Sequence, residues 1–258
     1  MMKESSPPLI LDPIICSTDG NNYSLVMADP VIINGYCDKV IRKKFISKVY
    51  GTLWLQLMFT SIFIGLCNKV SILQNFIVSP VGISIMYGTC ASLLMMSCAL
   101  FCCYEGLRKF PFNYLYVLLF TMCMSYTIGY VGVIYNTQSL LLSGLSTAGI
   151  FSGLTIYAIQ TKVDYTTYGN VAITLLIGLL LFGIFISFFQ IAMLNIIYSV
   201  GGATIFSFYI VYDTQLITGG TERRIEYKSN DFALASVNLY LDVVNLFLFM
   251  LNILSGRS

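Results

Sequence analysis

Seven apolar runs divide this chain, each about 19–24 residues long, which is the length a helix needs to cross the hydrocarbon of a bilayer. They lie at about 49–67, 81–104, 114–135, 139–160, 171–189, 191–212 and 233–254. Inside a membrane every backbone N–H and C=O must be satisfied within the protein, so runs of this length are read as helices. The charge content agrees. Only 10% of the 258 residues are charged, against roughly 25% in a soluble domain. So few charges cannot cover a water-facing surface of this size. The expected fold is an all-α polytopic membrane protein, a seven-helix bundle.

The breaks between the runs differ. Asn136-Thr137-Gln138 is short enough to force a tight antiparallel hairpin, and the fifth and sixth runs meet near Gln190. Glu105 to Pro111 is a charged turn, and Thr218 to Asp231 is the longest charged connection. Ahead of the first run, residues 1–38 carry Pro7, Pro8, Pro13 and Pro30 and read as a disordered cytosolic arm, leaving 39–258 as the membrane domain. Leu9 to Cys16 is interrupted by Asp12 and Pro13 and lacks the continuous apolar core of a signal peptide. In DKVIRKKFISKVY, Ile41, Phe45 and Val49 recur every four residues among Arg42, Lys43, Lys44 and Lys48. That pattern predicts a short amphipathic helix on the membrane surface, leading into the first span.

Orientation follows from Lys and Arg. If all seven runs cross, twelve of these residues fall on the N-terminal side: Lys3, Lys39, Arg42, Lys43, Lys44, Lys48, Arg108, Lys109, Lys162, Arg223, Arg224 and Lys228. Only two, Lys69 and Arg257, fall on the other. The N-terminus is therefore expected in the cytosol. A last segment that re-enters instead of crossing changes only the side of Arg257.

Two acids stand apart from the other ten, which occupy the arm or the hydrophilic breaks. Asp213, in FSFYIVYDTQL, closes the sixth run, and Asp242, in SVNLYLDVVNLFLFML, lies within the seventh. A carboxylate in hydrocarbon costs about 3 kcal/mol on insertion scales unless it finds a partner, water or a proton. The midpoint between the two positions falls at Tyr227-Lys228, so a hairpin with its tip there sets them at equal depth. Paired carboxyl groups in a poorly solvated site share a proton and titrate together, which supplies a pH response without histidine. Their oxygens also suit a hard cation such as Ca²⁺ in passage. The alternatives are a structural acceptor beside Thr214 or a place in interfacial water. Asn238, Asp242, Asn245 and Asn252 form one helical stripe, expected to face other helices or to line a pore; such asparagines also serve as glue between helices. Glu222, Glu226 and Asp231 are placed at the cytosolic mouth, where acids collect cations.

Soluble catalysis finds no support. The chain has no histidine, no CxxC pair among its eight cysteines, and no GxGxxG, Walker or GxSxG motif. No enzyme activity, resident cofactor or nucleic-acid partner is expected. Cys102-Cys103 reads as packing in preference to palmitoylation. Gly201-Gly202 reads as close packing, and Gly219-Gly220 as the end of the sixth span.

Five stretches, RKKFISKVYGTLWLQLMFT, RKFPFNYLYVLLFTMCMSYTIGYV, YAIQTKVDYT, IVYDTQLITGG and LYLDVVNLFLFML, spread over about residues 42–254. Together they resemble the transmembrane Bax-inhibitor-motif proteins, in their lifeguard and Golgi anti-apoptotic branch. The resemblance implies seven helices with the last central, cased by the other six. It implies a pH-sensitive calcium leak of an intracellular membrane, endoplasmic reticulum or Golgi, and suppression of programmed cell death. It assigns the functional aspartates to Asp213 and Asp242, and it brings apoptosis-regulating membrane proteins into view as partners beside lipid and Ca²⁺. The short arm lacks the Pro/Gly/Tyr-rich repeats of lifeguards. An H⁺/Ca²⁺ exchanger and a non-conducting scaffold of death signalling remain the competing functions. An aspartyl intramembrane hydrolase is disfavoured, because neither aspartate stands in a GxGD-type setting.

Overall fold

Punctuation in the sequence sets most helix ends. The computed structural model describes residues 30–102, 111–189, 191–219, 227 and 231–255, with the side chains of 30–39, 100–102 and 192 left aside. Helix α1 spans Pro30–Lys69, α2 Ser71–Val78, α3 Pro80–Cys102 and α4 Phe112–Ile134. Helix α5 follows at Thr137–Gln160, α6 at Gly169–Phe189, α7 at Ala192–Thr218 and α8 at Phe232–Ser255. Pro30 and Pro80 open their helices at a position where the missing N–H has no intrahelical partner to lose. Asn136 caps α5 by accepting from the Gln138 amide at 3.1 Å. Gly219 ends α7 at φ 57°, a backbone conformation that disfavours residues with a Cβ. Among the described residues, seven helices are long and apolar enough to cross a membrane.

Three boundaries differ from the sequence reading. Helix α1 begins at Pro30, inside the stretch expected as arm, and runs unbroken to Lys69. The stretch expected to lie on the membrane surface is therefore part of this helix. Its apolar edge, Phe45 and Val49 continuing to Leu53, is buried in the protein core. A four-residue repeat shows that one face is apolar, but not whether lipid or protein covers it. Helix α7 runs to Thr218, which puts Asp213 within the helix and not at its mouth. The turn α2, too short to cross, was not anticipated. Asn22, Cys103, Gly220, Glu222 and Glu226 lie outside the described residues.

Helix α8 is the most buried span. It packs against α7, α5, α1 and α4, and these four form its casing. The remaining two spans lie further out, α3 against α4 and α6 against α7. The casing is thus made mainly by four helices, where six were expected. Leu239, Tyr240 and Leu246 of α8 are fully buried, whereas Leu176, Leu180 and Phe188 of α6 are exposed in the direction of lipid. Hydrocarbon solvates Leu as well as a protein core does, so in a membrane shape and polar pairing decide which helix goes inside.

One close approach shows how tightly α7 meets α8. A Cβ added at Gly202 would stand 2.4 Å from the Phe249 ring, whereas one at Gly201 would meet nothing within 4 Å. Gly202→Val is expected to destabilise the bundle by about 1–3 kcal/mol. Gly201→Val should melt like the wild type. Thermal unfolding of both variants in detergent checks this, and equal melting would refute the packing argument.

Candidate functional site: a buried carboxyl pair and its polar collar

Asp213 stands about one and a half turns before the end of α7, and Asp242 nearly three turns inside α8. The hairpin is therefore staggered, not symmetric. The connection folds back on α7, with the Tyr227 amide donating to the Leu216 carbonyl at 3.1 Å. With this stagger the two carboxyl groups face each other within hydrogen-bonding reach. Both side chains are buried, at 5% and 6% exposure. Asp242 Oδ2 is fully enclosed and accepts no hydrogen bond from the described groups. Tyr209, Tyr212 and Tyr227 supply the neighbouring phenol groups. A facing carboxyl pair is attractive when a proton lies between the groups and repulsive when both are ionised.

The rest of the stripe divides. Asn238 donates to the Tyr227 hydroxyl at 2.9 Å, linking α8 to the connection beside the pair. Burial, reinforced by the Asp213 charge, holds the Tyr227 hydroxyl well above the usual tyrosine range, so it stays protonated. Asn245 is half-buried and bonds its own helix at the Leu241 carbonyl, 2.8 Å away. Asn252 is exposed near the end of α8. Asp231 is buried at the start of α8, where its carbonyl accepts from the Ala235 amide.

A polar collar lies at the end of the bundle that carries the basic residues, around the close of α7 and the start of α8. Arg42 of α1 donates to the carbonyls of Leu216, Thr218 and Tyr227. Two of these belong to the last turn of α7, where unpaired carbonyls and the helix dipole both favour a cation. Lys48 sits 3.5 Å above the Phe232 ring at the start of α8 and 5.2 Å from the Tyr114 ring at the start of α4. Gln215, two residues past Asp213 and fully buried, donates to the Val163 carbonyl at 2.9 Å and accepts from the Tyr165 amide at 2.8 Å. It thereby pins the turn after α5. Asp164 orders the same turn by accepting from the Thr166 amide and hydroxyl.

Deeper in the bundle, Thr60 of α1 meets Tyr240 of α8 at 2.8 Å and Ser125 of α4 at 2.9 Å, while Gln56 donates to Thr121 at 2.9 Å. Sequence reasoning missed this network and the roles of Arg42 and Gln215. Thr, Ser and Gln inside apolar runs are common, and Arg42 reads as one more positive-inside charge. The available signal was adjacency: Gln215 shares the YDTQ stretch with Asp213.

The architecture and site define a polytopic helical membrane protein with a buried carboxyl pair joining its last two spans. Over residues 42–258 the chain matches the family described as "Inhibitor of apoptosis-promoting Bax1", and it belongs to that family. It is similar to "Protein lifeguard 3" of Homo sapiens, 30% identical over 86% of this chain and 71% of the relative. The mouse protein of that name is 27% identical over 98% of this chain and 82% of its own length. "Golgi anti-apoptotic protein" of Vaccinia virus (strain Lister) is 30% identical over 83% of this chain and 86% of its own length.

Proposed function

We propose that this protein is a pH-sensitive calcium leak of an intracellular membrane, gated by Asp213 and Asp242, and that it restrains cell death. The observation that carries the gating is the facing of two buried carboxyl groups on adjacent helices. With one shared proton the pair draws α7 and α8 together and closes the path. Loss of that proton leaves two like charges in a poorly solvated site, which drives the helices apart and presents carboxylate oxygens to a hard cation. Acid therefore favours the closed form and alkaline conditions the open one. The anti-apoptotic role draws support from the family's description and from the name of the viral relative, and a Golgi location from that relative's name.

The deciding measurement is Ca²⁺ release from vesicles containing the purified protein, followed across the neutral pH range. Release that rises with pH supports the leak. Release that requires an opposing proton gradient marks an exchanger, and absence of release leaves a scaffold. Twelve of the fourteen basic residues assigned to one side put that side, with the N-terminus, in the cytosol. Asn22, in an Asn-Tyr-Ser triplet, is then expected to stay unglycosylated in cells. A glycan at Asn22, read as a mobility shift removed by glycosidase, would reverse the orientation.

A further inference from the structure

A cleft of 270 Å³ opens between α1 and α5, with its floor on α8. Leu57, Ser61 and Ile64 form one wall; Gly144, Ala148 and Ser152 form the other. The floor is Val243, Val244 and Phe247, beginning directly after Asp242. The lining residues of α5 and α8 lie near the middle of the spans Thr137–Gln160 and Phe232–Ser255, and those of α1 in the second half of Val40–Lys69, so the cleft sits near mid-bilayer depth. Its rim is continuous with the lipid-facing surface: Ser61, Ala148 and Ser152 of the lining are exposed. α1 and α5 are not closely packed here, and a Cβ at Gly144 would meet nothing within 4 Å.

We infer that this cleft is a lateral portal that admits one hydrocarbon chain of a bilayer lipid onto α8. Hydrocarbon is the medium at this depth, and the lining is mostly aliphatic and aromatic. Its polar atoms are largely committed already. Thr60 bonds Gln56, Ser125 and Tyr240; Ser61 bonds the Leu57 carbonyl, and Ser152 the Ala148 carbonyl. Thr147 alone among these hydroxyls has no partner within the described residues. One such group is no receptor for a headgroup, whose several polar atoms each need a partner. An acyl chain instead restores the contacts that α1 and α5 do not make with each other, and it touches α8 one residue from the carboxyl pair. This inference does not depend on calcium conduction.

The test is photolabelling in vesicles with a phosphatidylcholine carrying a diazirine midway along one acyl chain, with adducts mapped to peptides. Wild type is expected to show adducts on the α8 segment 243–247 as well as on lipid-facing α6. Gly144→Leu and Ala148→Leu each place a side chain in the portal. Both should reduce α8 labelling several-fold and leave α6 labelling unchanged. The inference is overturned if wild-type α8 takes no label while α6 does. It is equally overturned if both variants, eluting from size exclusion like the wild type, retain full α8 labelling.

Discussion

Asp242→Asn and Asp213→Asn are each expected to abolish the pH dependence of calcium release. Two unit charges about 4 Å apart at an effective dielectric constant of about 20 repel by about 4 kcal/mol. That energy shifts a two-state equilibrium by about three orders of magnitude. Asparagine keeps the shape of aspartate, cannot ionise, and offers an amide donor to the surviving carboxylate. The closed contact is thus retained at every pH and the repulsion that opens it is lost. Release from either variant should stay low across the neutral range and vary by less than about twofold where the wild type rises steeply. If both variants keep the wild-type profile, the pair is not the gate. If the wild-type protein itself releases no calcium, the scaffold reading becomes the better account.

Gln215→Leu carries the second large effect. Gln215 is fully enclosed, and its amide serves the Val163 carbonyl and the Tyr165 amide at once. Leucine has similar bulk but leaves both backbone groups without this partner. Each hydrogen bond so lost contributes about 0.5–1.5 kcal/mol, giving a total of about 1–3 kcal/mol. The turn between α5 and α6 should detach from α7 close to Asp213. Hydrogen exchange at the Tyr165 amide is expected to accelerate, and the melting temperature in detergent to fall. An unchanged Tyr165 exchange rate together with wild-type melting would show that the pin is dispensable.

Much of this protein is legible in the one-dimensional pattern. Run length and charge scarcity dictate helices that cross a membrane, because only a self-satisfied backbone survives there. Each of the seven spans overlaps an apolar run of the sequence. The two intramembrane acids were conspicuous for the same reason, since a charge in hydrocarbon is costly enough to stand out against Leu, Val and Phe. Boundaries were harder. Hydropathy falls at YDTQ and at VIRKK, yet the helices continue through both, because protein partners replace lipid there: Gln215 bonds a neighbouring turn, and Arg42 binds the end of α7.

What the sequence determined alone is the number of membrane-length apolar segments, the basic end of the bundle and the identity of the two acids, all of which depend on transfer of groups between water and hydrocarbon. That transfer is a property of each segment by itself. The tertiary structure decided which four helices enclose α8, how far α7 and α8 are staggered, and that α1 and α5 leave a cleft beside Asp242. Those outcomes rest on shape at single positions, such as Gly202 against Phe249, and on hydrogen bonds between residues far apart in the chain, such as Thr60 with Tyr240. Within lipid, no difference in hydrophobicity ranks one helix pairing above another, so packing and polar contacts make the choice.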